Sequence, residues 1–299
     1  MNAVQFLRFW WHQRQLGISS LRMTGDGKVA GWTQVNGELA DSLSLSDRGL
    51  AYGDGLFETL RVVDGRMPLL SRHLQRLERG CDALSLPCDR ALIEAELVDT
   101  AARLGEGVLK LTLTRGSGPR GYAPPALPAP SRILSAAPLA PADPRRRDGI
   151  ALFPCRTRLS EQPLLAGLKH LNRLDQVLAR SEWQSSEFAE GLVCDQQGRP
   201  VECTMSNLLV WRDGGWITPL LTHCGVRGVM RDYLLETLAA QGVPVEERMM
   251  DMDMLYSAQE VCCCNSLIGV WPVVRLGERS WPAGPQTRLL QTLAEQVYQ

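Results

Sequence analysis

The stretch Ala166-Gly-Leu-Lys-His-Leu-Asn-Arg-Leu-Asp-Gln-Val-Leu-Ala-Arg180 decides how this sequence is interpreted. Its lysine, Lys169, precedes a pattern in which apolar residues recur at helical spacing, at 171, 174, 177 and 178. The chain has three lysines, the others being Lys28 and Lys110, although arginine is plentiful. A lone lysine at the start of a helix is usually a solvated side chain. With so few lysines, however, a covalent bond from a lysine to a carbonyl cofactor must use one of these three.

Composition and charge describe an ordinary globular protein. The chain is 44% hydrophobic and 22% charged, and its formal net charge is −1 at pH 7. This balance offers no electrostatic basis for binding nucleic acid or an anionic membrane, and no apolar stretch is long enough to span a bilayer. The nine cysteines lack metal-ligand spacing, and neighbouring side chains in Cys262-Cys-Cys264 would point to opposite faces of a strand. We therefore expect no metal site, and reduced, buried cysteines in a cytoplasmic protein.

The sequence predicts two domains of mixed α and β structure. Residues 1–30 form an N-terminal extension to which we assign no function, and Met23 is a plausible alternative start. A smaller domain is expected over 31–140 and a larger one over 150–299. The proline-rich, charged run between Ala136 and Asp148 is typical of an interdomain connection, with the linker itself at 141–149.

Turn and periodicity signals predict the elements of the smaller domain. A hairpin turns at Asn36-Gly37, a strand covers 56–63, and a helix covers 70–84. The segment 108–115 alternates apolar and polar residues, so Lys110 is most simply a residue on the polar face of a strand.

The loop 116–125 is too rich in glycine and proline for regular structure. It carries Arg120 and Tyr122 and follows directly on Arg115, and such a set suits an anionic substrate. An exposed loop with incidental arginines fits the sequence equally well.

In the larger domain, strands over 190–195 and 200–211 are expected to flank a turn at Gln197-Gly198. Glu202 falls at the apolar start of the second strand, where a carboxylate needs a partner or a role. A glycine-rich segment beginning at Gly225 leads into a helix that stops near Gly242, and the N-terminus of such a helix can bind phosphate.

One further strand, predicted over 260–270, would place the polar residues Asn265 and Ser266 in the core. Buried polar groups of this kind need a partner or a functional role.

Three long stretches carry a resemblance to a known family. They are 166–177, quoted above, Arg-Gly-Ser-Gly-Pro-Arg-Gly-Tyr at 115–122, and Gly-Val-Arg-Gly-Val-Met-Arg at 225–231. From about Trp32 to the C-terminus, the sequence resembles the fold-type IV pyridoxal phosphate enzymes. This family contains the branched-chain and D-amino acid aminotransferases and 4-amino-4-deoxychorismate lyase. Within it, the three stretches are most similar to the lyase branch.

The resemblance implies a site for pyridoxal 5'-phosphate. Lys169 corresponds to the Schiff-base lysine, and Glu202 to the carboxylate that pairs with the pyridine nitrogen. The family usually has threonine where Ser266 stands, and serine keeps the hydroxyl. The implied phosphate ligands are the guanidinium of Arg76 in His73-Leu-Gln-Arg-Leu77, the backbone N–H groups of Val226 and Arg227, and the hydroxyl of Ser266.

The resemblance also implies a fold and a reaction. The fold is a two-domain, mixed α/β, D-amino acid aminotransferase-like architecture with the cofactor between the domains, and the protein would be a homodimer. The reaction converts 4-amino-4-deoxychorismate to 4-aminobenzoate and pyruvate, on the route to folate. Lys169 would remove the proton from the amine-bearing ring carbon and later protonate the departing enolpyruvate. Arg115 and Arg120 would bind the substrate carboxylates, with Tyr122 beside them.

Two other functions stay open at this point. An aminotransferase for a D- or branched-chain amino acid would use the same Lys169 chemistry, although Phe57 stands where D-amino acid aminotransferases typically have tyrosine. A non-catalytic metabolite-binding homologue would form no covalent bond with the cofactor, and the presence of Lys169, Glu202 and Arg76 argues against it. Conversion of the cofactor to pyridoxamine phosphate by amino acids separates the aminotransferase from the lyase.

Overall fold

A computed structural model describes residues 22–23, 29–141 and 147–299. The predicted N-terminal extension lies mostly outside the described residues, as does Lys28. The chain divides into two compact units. The described residues of the N-terminal unit fall within Met1–Met67 and Leu84–Leu139, and those of the C-terminal unit within Pro68–Ala83 and Ala140–Gln299. The division after Leu139 falls next to the predicted linker, whereas the membership of Pro68–Ala83 in the C-terminal unit is not visible from chain order.

The N-terminal unit contains a six-stranded antiparallel sheet among its described residues, with the strand order β1-β2-β6-β5-β4 and β3 paired to β2. Its elements, together with the helix that follows β4, are β1 (Arg22–Met23), β2 (Val29–Val35), β3 (Glu38–Leu39), α1 (Arg48–Tyr52), β4 (Gly55–Val62), α2 (Leu70–Leu84, of which all but the last residue belongs to the C-terminal unit), α3 (Arg90–Leu104), β5 (Gly107–Thr114) and β6 (Ser131–Ala137).

Apolar and polar residues alternate along β5, so one face of this strand is buried in the core of the unit. Leu109, Leu111 and Leu113 are buried, while Lys110 on the other face is exposed. The buried face packs against α3, which contributes Ile93 and other apolar side chains. The predicted strand, and the position of Lys110 on its polar face, are therefore confirmed.

The predicted hairpin turn is also confirmed. Asn36 and Gly37 both have positive φ, 52° and 89°, and Val35 pairs with Glu38 across the turn. Two successive left-handed residues match the right-handed twist of the flanking strands, and asparagine followed by glycine adopts that conformation most readily.

The C-terminal unit is built on a nine-stranded sheet among its described residues. Its elements after α2 are β7 (Ile150–Arg158), α4 (Leu174–Ser181), β8 (Phe188–Cys194), β9 (Pro200–Cys203), β10 (Asn207–Arg212), β11 (Gly215–Pro219), α5 (Val229–Ala240), β12 (Val245–Arg248), α6 (Met252–Tyr256), β13 (Glu260–Asn265), β14 (Gly269–Leu276), β15 (Arg279–Ser280) and α7 (Pro285–Gln296).

The sheet of the C-terminal unit closes on itself. Strands run in the order β12-β11-β10-β13-β14-β7-β8-β9, and β9 pairs with β10 as well as with β8. The six strands from β10 through β13, β14, β7 and β8 to β9 therefore form a small barrel. Most pairs are antiparallel, but β7 runs parallel to both of its neighbours. The mixed α/β fold expected from the sequence is confirmed.

The cysteine run in β13 lies between two apolar layers. Cys263 packs in one buried cluster with Leu208, and Cys262 and Cys264 pack in another with Leu234 of α5. These three thiols form no disulfide, and their side chains alternate as predicted. Within the described ranges, no group of His, Cys, Asp and Glu side chains is arranged to hold a metal ion. No described helix is both long enough and apolar enough to cross a bilayer.

Two strands that were predicted to be continuous are each interrupted by a turn. The predicted strand over 260–270 is a hairpin, because β13 ends at Asn265 and β14 begins at Gly269. The Asn265 side chain accepts hydrogen bonds from the N–H groups of Leu267 and Ile268, at 2.8 and 3.0 Å, and so stabilises the turn. The predicted strand over 200–211 is likewise two paired strands, β9 and β10, separated by a turn at 204–206. In both cases the apolar run hid a turn that polar side chains stabilise.

Candidate active site

A short segment between β11 and α5, residues 225–227, contacts several of the residues that the sequence singled out. The N–H of Gly167 donates to the carbonyl of Gly225 at 2.9 Å, and the N–H of Arg227 donates to the carbonyl of Gly167 at 3.0 Å. The Val226 N–H donates to Glu202, and Arg76 donates to the Arg227 carbonyl. Elements far apart in sequence thus meet at one point of the C-terminal unit. Its geometry requires glycine at 225, where φ is 85° and an added Cβ would lie 2.8 Å from a Leu221 methyl carbon.

Glu202 lies in β9 and is 5% exposed. Its Oε2 accepts the Val226 N–H at 2.8 Å, while its Oε1 has only a long contact of 3.4 Å from the Gln176 amide nitrogen. Burial raises the pKa of Glu202, and the Val226 N–H and the positive charges of Arg173 and Lys169 act in the opposite direction. This is a desolvated carboxylate with positive charge nearby and one oxygen able to accept a further strong hydrogen bond.

Lys169 is half-buried in the segment that links Gly167 to α4. Its charge acts on Glu202, which is consistent with both side chains belonging to one site. The next residue, His170, has its pKa lowered to about 4, by burial first and then by the charge of Arg173. Arg173 itself donates to the His170 carbonyl at 2.8 Å, and burial lowers its pKa. The imidazole is therefore neutral near pH 7, and the positive charges here belong to Lys169 and Arg173.

The helix α4 does not bury its apolar stripe within this chain. Leu174, Val177 and Leu178 are 74%, 59% and 57% exposed. Only Ala179 on this helix is buried. The helix predicted after Lys169 is confirmed, and its apolar face is uncovered in the single chain.

Arg76 is buried on α2 and donates from Nη1 to the Arg227 carbonyl at 2.9 Å. The helix predicted over 70–84 has the predicted bounds. It is held against α5 by Arg72, which pairs with Glu236 at 2.6 Å and lies 5.8 Å from the centroid of the Tyr233 ring. The structure therefore brings Arg76 beside the 225–227 segment.

Val226 and Arg227, whose backbone amides the resemblance assigns to phosphate, both have protein acceptors for those amides. Val226 donates to Glu202, and Arg227 donates to the Gly167 carbonyl. The Arg227 side chain pairs with Asp232 at 2.9 Å and with Glu247 at 3.5 Å. These amides position the segment, and their binding of phosphate stays a prediction.

Ser266 lies in the turn between β13 and β14 rather than within a strand. The preceding Asn265 donates to the Met205 carbonyl at 3.1 Å, in the turn between β9 and β10. Strand β10 begins there with Asn207, whose side chain donates to the Val226 carbonyl at 2.8 Å. Ser266 thus belongs to the end of the barrel that carries the 225–227 segment.

Sequence reasoning missed Glu190, a fully buried carboxylate on β8. It accepts hydrogen bonds from the Ser206 hydroxyl at 2.8 Å, the Met205 N–H at 3.1 Å and the Thr204 hydroxyl. Burial raises the pKa of Glu190, although the hydrogen bonds from these donors act to lower it. Glu190 therefore organises the turn that joins the strand of Glu202 to the strand of Asn207. The signal that pointed to Glu202, a carboxylate in an apolar strand, was present here too.

The three residues predicted to bind substrate lie in the N-terminal unit, in or next to the loop between β5 and β6. Arg120 and Tyr122 are exposed. Arg115 is 5% exposed, pairs with Asp54 at 2.8 Å, and donates to the carbonyls of Leu84 and Ser85 at 2.8 and 2.9 Å. Each nitrogen of the Arg115 guanidinium therefore has an acceptor within the fold, whereas Arg120 and Tyr122 present their side chains to solvent.

Comparison with known proteins shows to which family this chain belongs. The family model for amino-transferase class IV matches residues 55–276, most of the chain. The chain belongs to the class IV aminotransferase family. This family binds pyridoxal phosphate, and the matched range includes Lys169, Glu202 and Arg76.

Several relatives of this class IV protein are informative. The aminodeoxychorismate lyase of Vibrio harveyi is 36% identical over 268 residues, which are 86% of this chain and 97% of the relative. The crystal structure of 4-amino-4-deoxychorismate lyase from Pseudomonas aeruginosa is 55% identical, covers 88% of this chain and 98% of its own, and superimposes with a TM-score of 0.86. A hypothetical aminotransferase from Mycobacterium tuberculosis, solved in a PLP-bound form, shares the fold at 22% identity and a TM-score of 0.77, over 89% and 98% of the two chains.

Proposed function

We propose that this protein is an aminodeoxychorismate lyase that converts 4-amino-4-deoxychorismate to 4-aminobenzoate and pyruvate, in the branch of metabolism that supplies folate. The observation that carries the proposal is the 55% identity to the Pseudomonas aeruginosa lyase across 88% of the chain. The geometry supports it, because Glu202, Arg76 and the segment before Lys169 all contact residues 225–227.

Pyridoxal 5'-phosphate fits the residues of this site. Glu202 is a buried carboxylate whose Oε1 has only a weak partner, which suits it to accept the N–H of a protonated pyridine ring. Lys169 would hold the cofactor covalently through Nζ. Arg76 would bind the phosphate, and the Ser266 hydroxyl and the amides of Val226 and Arg227, which here donate to Glu202 and to the Gly167 carbonyl, are proposed as further donors. When bound, the cofactor supplies an electron sink that stabilises negative charge beside the substrate amine.

Lys169 would also move the protons of the reaction. The Nζ of Lys169 would accept the proton from the amine-bearing ring carbon of the substrate and would later return it to the departing enolpyruvate. Loss of this proton and of enolpyruvate leaves an aromatic ring, which drives the step forward. Arg173 beside Glu202 adds positive charge that favours the ionised carboxylate despite its burial.

Substrate recognition is assigned to the loop between β5 and β6. Arg120 is exposed and lies in a glycine-rich loop, so its guanidinium is accessible to a substrate carboxylate. Tyr122, which is 87% exposed, would contact the substrate beside it. Arg115 is assigned a supporting role, since Asp54 and two carbonyls occupy its donors.

The purified protein, incubated with enzymatically generated aminodeoxychorismate, is expected to release 4-aminobenzoate, followed by its fluorescence, and an equal amount of pyruvate. A panel of D- and L-amino acids should convert little of the bound cofactor to pyridoxamine phosphate. The absence of 4-aminobenzoate, together with rapid pyridoxamine phosphate formation, would instead identify an aminotransferase. Failure of the protein to bind the cofactor covalently would favour a non-catalytic homologue.

We further propose that the protein is a homodimer whose interface includes the exposed face of α4. Leu174, Val177 and Leu178 lie at helical spacing on one face, and three large apolar side chains exposed together are typical of a contact surface. The paired substitution Val177→Asp and Leu178→Asp should convert a dimer to a monomer in light scattering. Leu92→Asp, on the N-terminal unit's α3, is the control that should leave the mass unchanged. A wild-type protein that is monomeric would refute this proposal.

A cytoplasmic location is proposed with this function. Its support is the set of buried thiols in β13, which form no disulfide.

A further inference from the structure

The loop between β5 and β6 has exposed side chains, but its backbone is fixed by hydrogen bonds to buried residues. Thr114 ends β5 and Ser131 begins β6, and the hydroxyls of both donate to the same carboxylate oxygen of Asp47, at 2.9 and 2.8 Å. Asp47 is completely buried. At the base of the loop, Gly116 has a φ of 80°, and an added Cβ would lie 1.8 Å from the Ala129 carbonyl oxygen. The two ends of the loop are thus tied to one buried group.

Arg48, the next residue, contacts the part of the loop that bears Tyr122. Its Nη1 donates to the carbonyls of Gly121 and Ala123 at 2.9 and 3.4 Å, and its Nη2 donates to the Tyr122 carbonyl at 3.0 Å. One guanidinium therefore binds three consecutive carbonyls of the loop. Arg48 is 3% exposed, whereas Tyr122 is 87% exposed. The buried arginine fixes the backbone, and the side chains above it remain in solvent.

The guanidinium of Arg48 is itself fixed in place. Its Nε donates to Asp54 at 2.8 Å, and the same carboxylate oxygen accepts from Arg115 at 2.8 Å. Burial alone would raise the pKa of Asp54, but the hydrogen bonds from Arg115 and Arg48 bring it below its usual value. Tyr52 completes the support: its ring lies 4.8 Å from the Arg48 guanidinium, and its hydroxyl accepts the Gly121 N–H at 3.0 Å.

We propose that Arg48 is a positioning residue for substrate recognition, which holds the loop so that Arg120 and Tyr122 are preorganised for the substrate. This inference rests on the proposed function. A glycine- and proline-rich loop without such support would have to be ordered when substrate binds, which would weaken binding. A residue that acts in this way affects substrate affinity more than the chemical step, because the chemistry is assigned to the C-terminal unit.

The test compares Arg48→Lys with wild type. Lysine keeps the charge but cannot reach three carbonyls, so we expect KM for aminodeoxychorismate to rise by about tenfold or more while kcat changes by less than about threefold. The visible spectrum of the bound cofactor should not change. Trypsin should cleave the Arg120–Gly121 bond faster in the variant, because proteolysis requires local opening of the loop.

Arg132→Lys is the matched control. Arg132 is a partly buried arginine of the same unit that makes a bidentate pair with Glu96, at 2.8 and 2.9 Å. Its replacement should leave KM and the tryptic cleavage rate at wild-type values. Tyr52→Phe, which removes the acceptor for the Gly121 N–H, should shift KM and cleavage in the same direction as Arg48→Lys but less, and it serves if Arg48→Lys does not fold.

Unchanged KM and cleavage in Arg48→Lys and Tyr52→Phe would overturn the proposal. So would a fall in kcat and melting temperature with KM unaltered, because that pattern is expected of a residue that only stabilises the fold. If the wild type forms no 4-aminobenzoate, the proposed function is refuted instead. The cleavage comparison would still decide whether Arg48 holds the loop.

Discussion

Replacing Lys169 by alanine is expected to abolish 4-aminobenzoate formation, lowering the rate by more than about 10⁴-fold, because the residue would both hold the cofactor and transfer the proton. The visible absorbance of the covalently bound cofactor should disappear as well. Borohydride reduction of the wild type, followed by peptide mass spectrometry, should locate the cofactor on the peptide that contains Lys169.

Lys110→Ala is the matched control for this experiment. Lys110 is an exposed residue of β5 in the N-terminal unit, with its Nζ 5.3 Å from the centroid of the Phe57 ring. Its replacement should leave both absorbance and turnover near wild-type values. If Lys169→Ala retained both and Lys110→Ala lost them, Lys110 would be the cofactor lysine and the assignment of the site would fall.

Glu202→Gln is expected to retain part of the cofactor but to lose most activity, by about 10²–10³-fold in kcat, the range found when one strong electrostatic group is removed from an active site. A glutamine is nearly isosteric, so β9 should keep its place in the barrel. It carries no charge, however, and cannot keep the pyridine nitrogen protonated. Steady-state kinetics and the ratio of cofactor to protein would measure the two effects separately.

Glu182→Gln provides the comparison for Glu202. Glu182 is another carboxylate of the C-terminal unit that accepts backbone N–H groups, from Arg156 and Thr157 at 2.8 and 2.7 Å. These partners belong to β7 rather than to residues 225–227, and the amide variant of Glu182 should keep full turnover. Turnover of Glu202→Gln equal to that of the wild type would remove the proposed role of this carboxylate.

The surroundings of Glu202 act on its charge in opposite directions, and burial, the larger effect, raises its pKa. Burial disfavours the charged form, and Arg173 and Lys169 favour it. Arg173 is half-buried, and its desolvation lowers its pKa, while the charge of Glu202 acts to raise it. Loss of the positive charge of Arg173 would therefore leave Glu202 with less compensation for its burial.

Local sequence patterns correctly predicted those elements that depend only on short-range features of the chain. The alternation of β5, the apolar spacing of α2 and the Asn36-Gly37 turn are short-range features, and the structure has each where the sequence predicted it. Because the chain has only three lysines, the sequence left three candidates for the cofactor lysine. Glu202 stood out because a carboxylate in an apolar strand is energetically unfavourable without a partner.

The tertiary structure decided whether a predicted strand is continuous and which residues contact each other. Asn265 and Ser266 stood out as polar residues in an apolar run, but the sequence did not show that they mark a turn, in which the Asn265 side chain accepts two backbone N–H groups. The register of β10 against β9 and β13 sets Asn207 against Val226, and register depends on pairing partners remote in sequence.

The sequence by itself therefore singled out the candidate residues for the chemistry, through rare residue types and family motifs that can be recognised without knowing their partners. The tertiary structure decided which of them meet and which serve the fold. It brought Gly167, Glu202 and Arg76 to residues 225–227, and it buried Arg115 against Asp54 while leaving Arg120 exposed. The physical reason is that an arginine has the same donors whether it binds substrate or a buried carboxylate. Only packing determines which acceptors lie within reach.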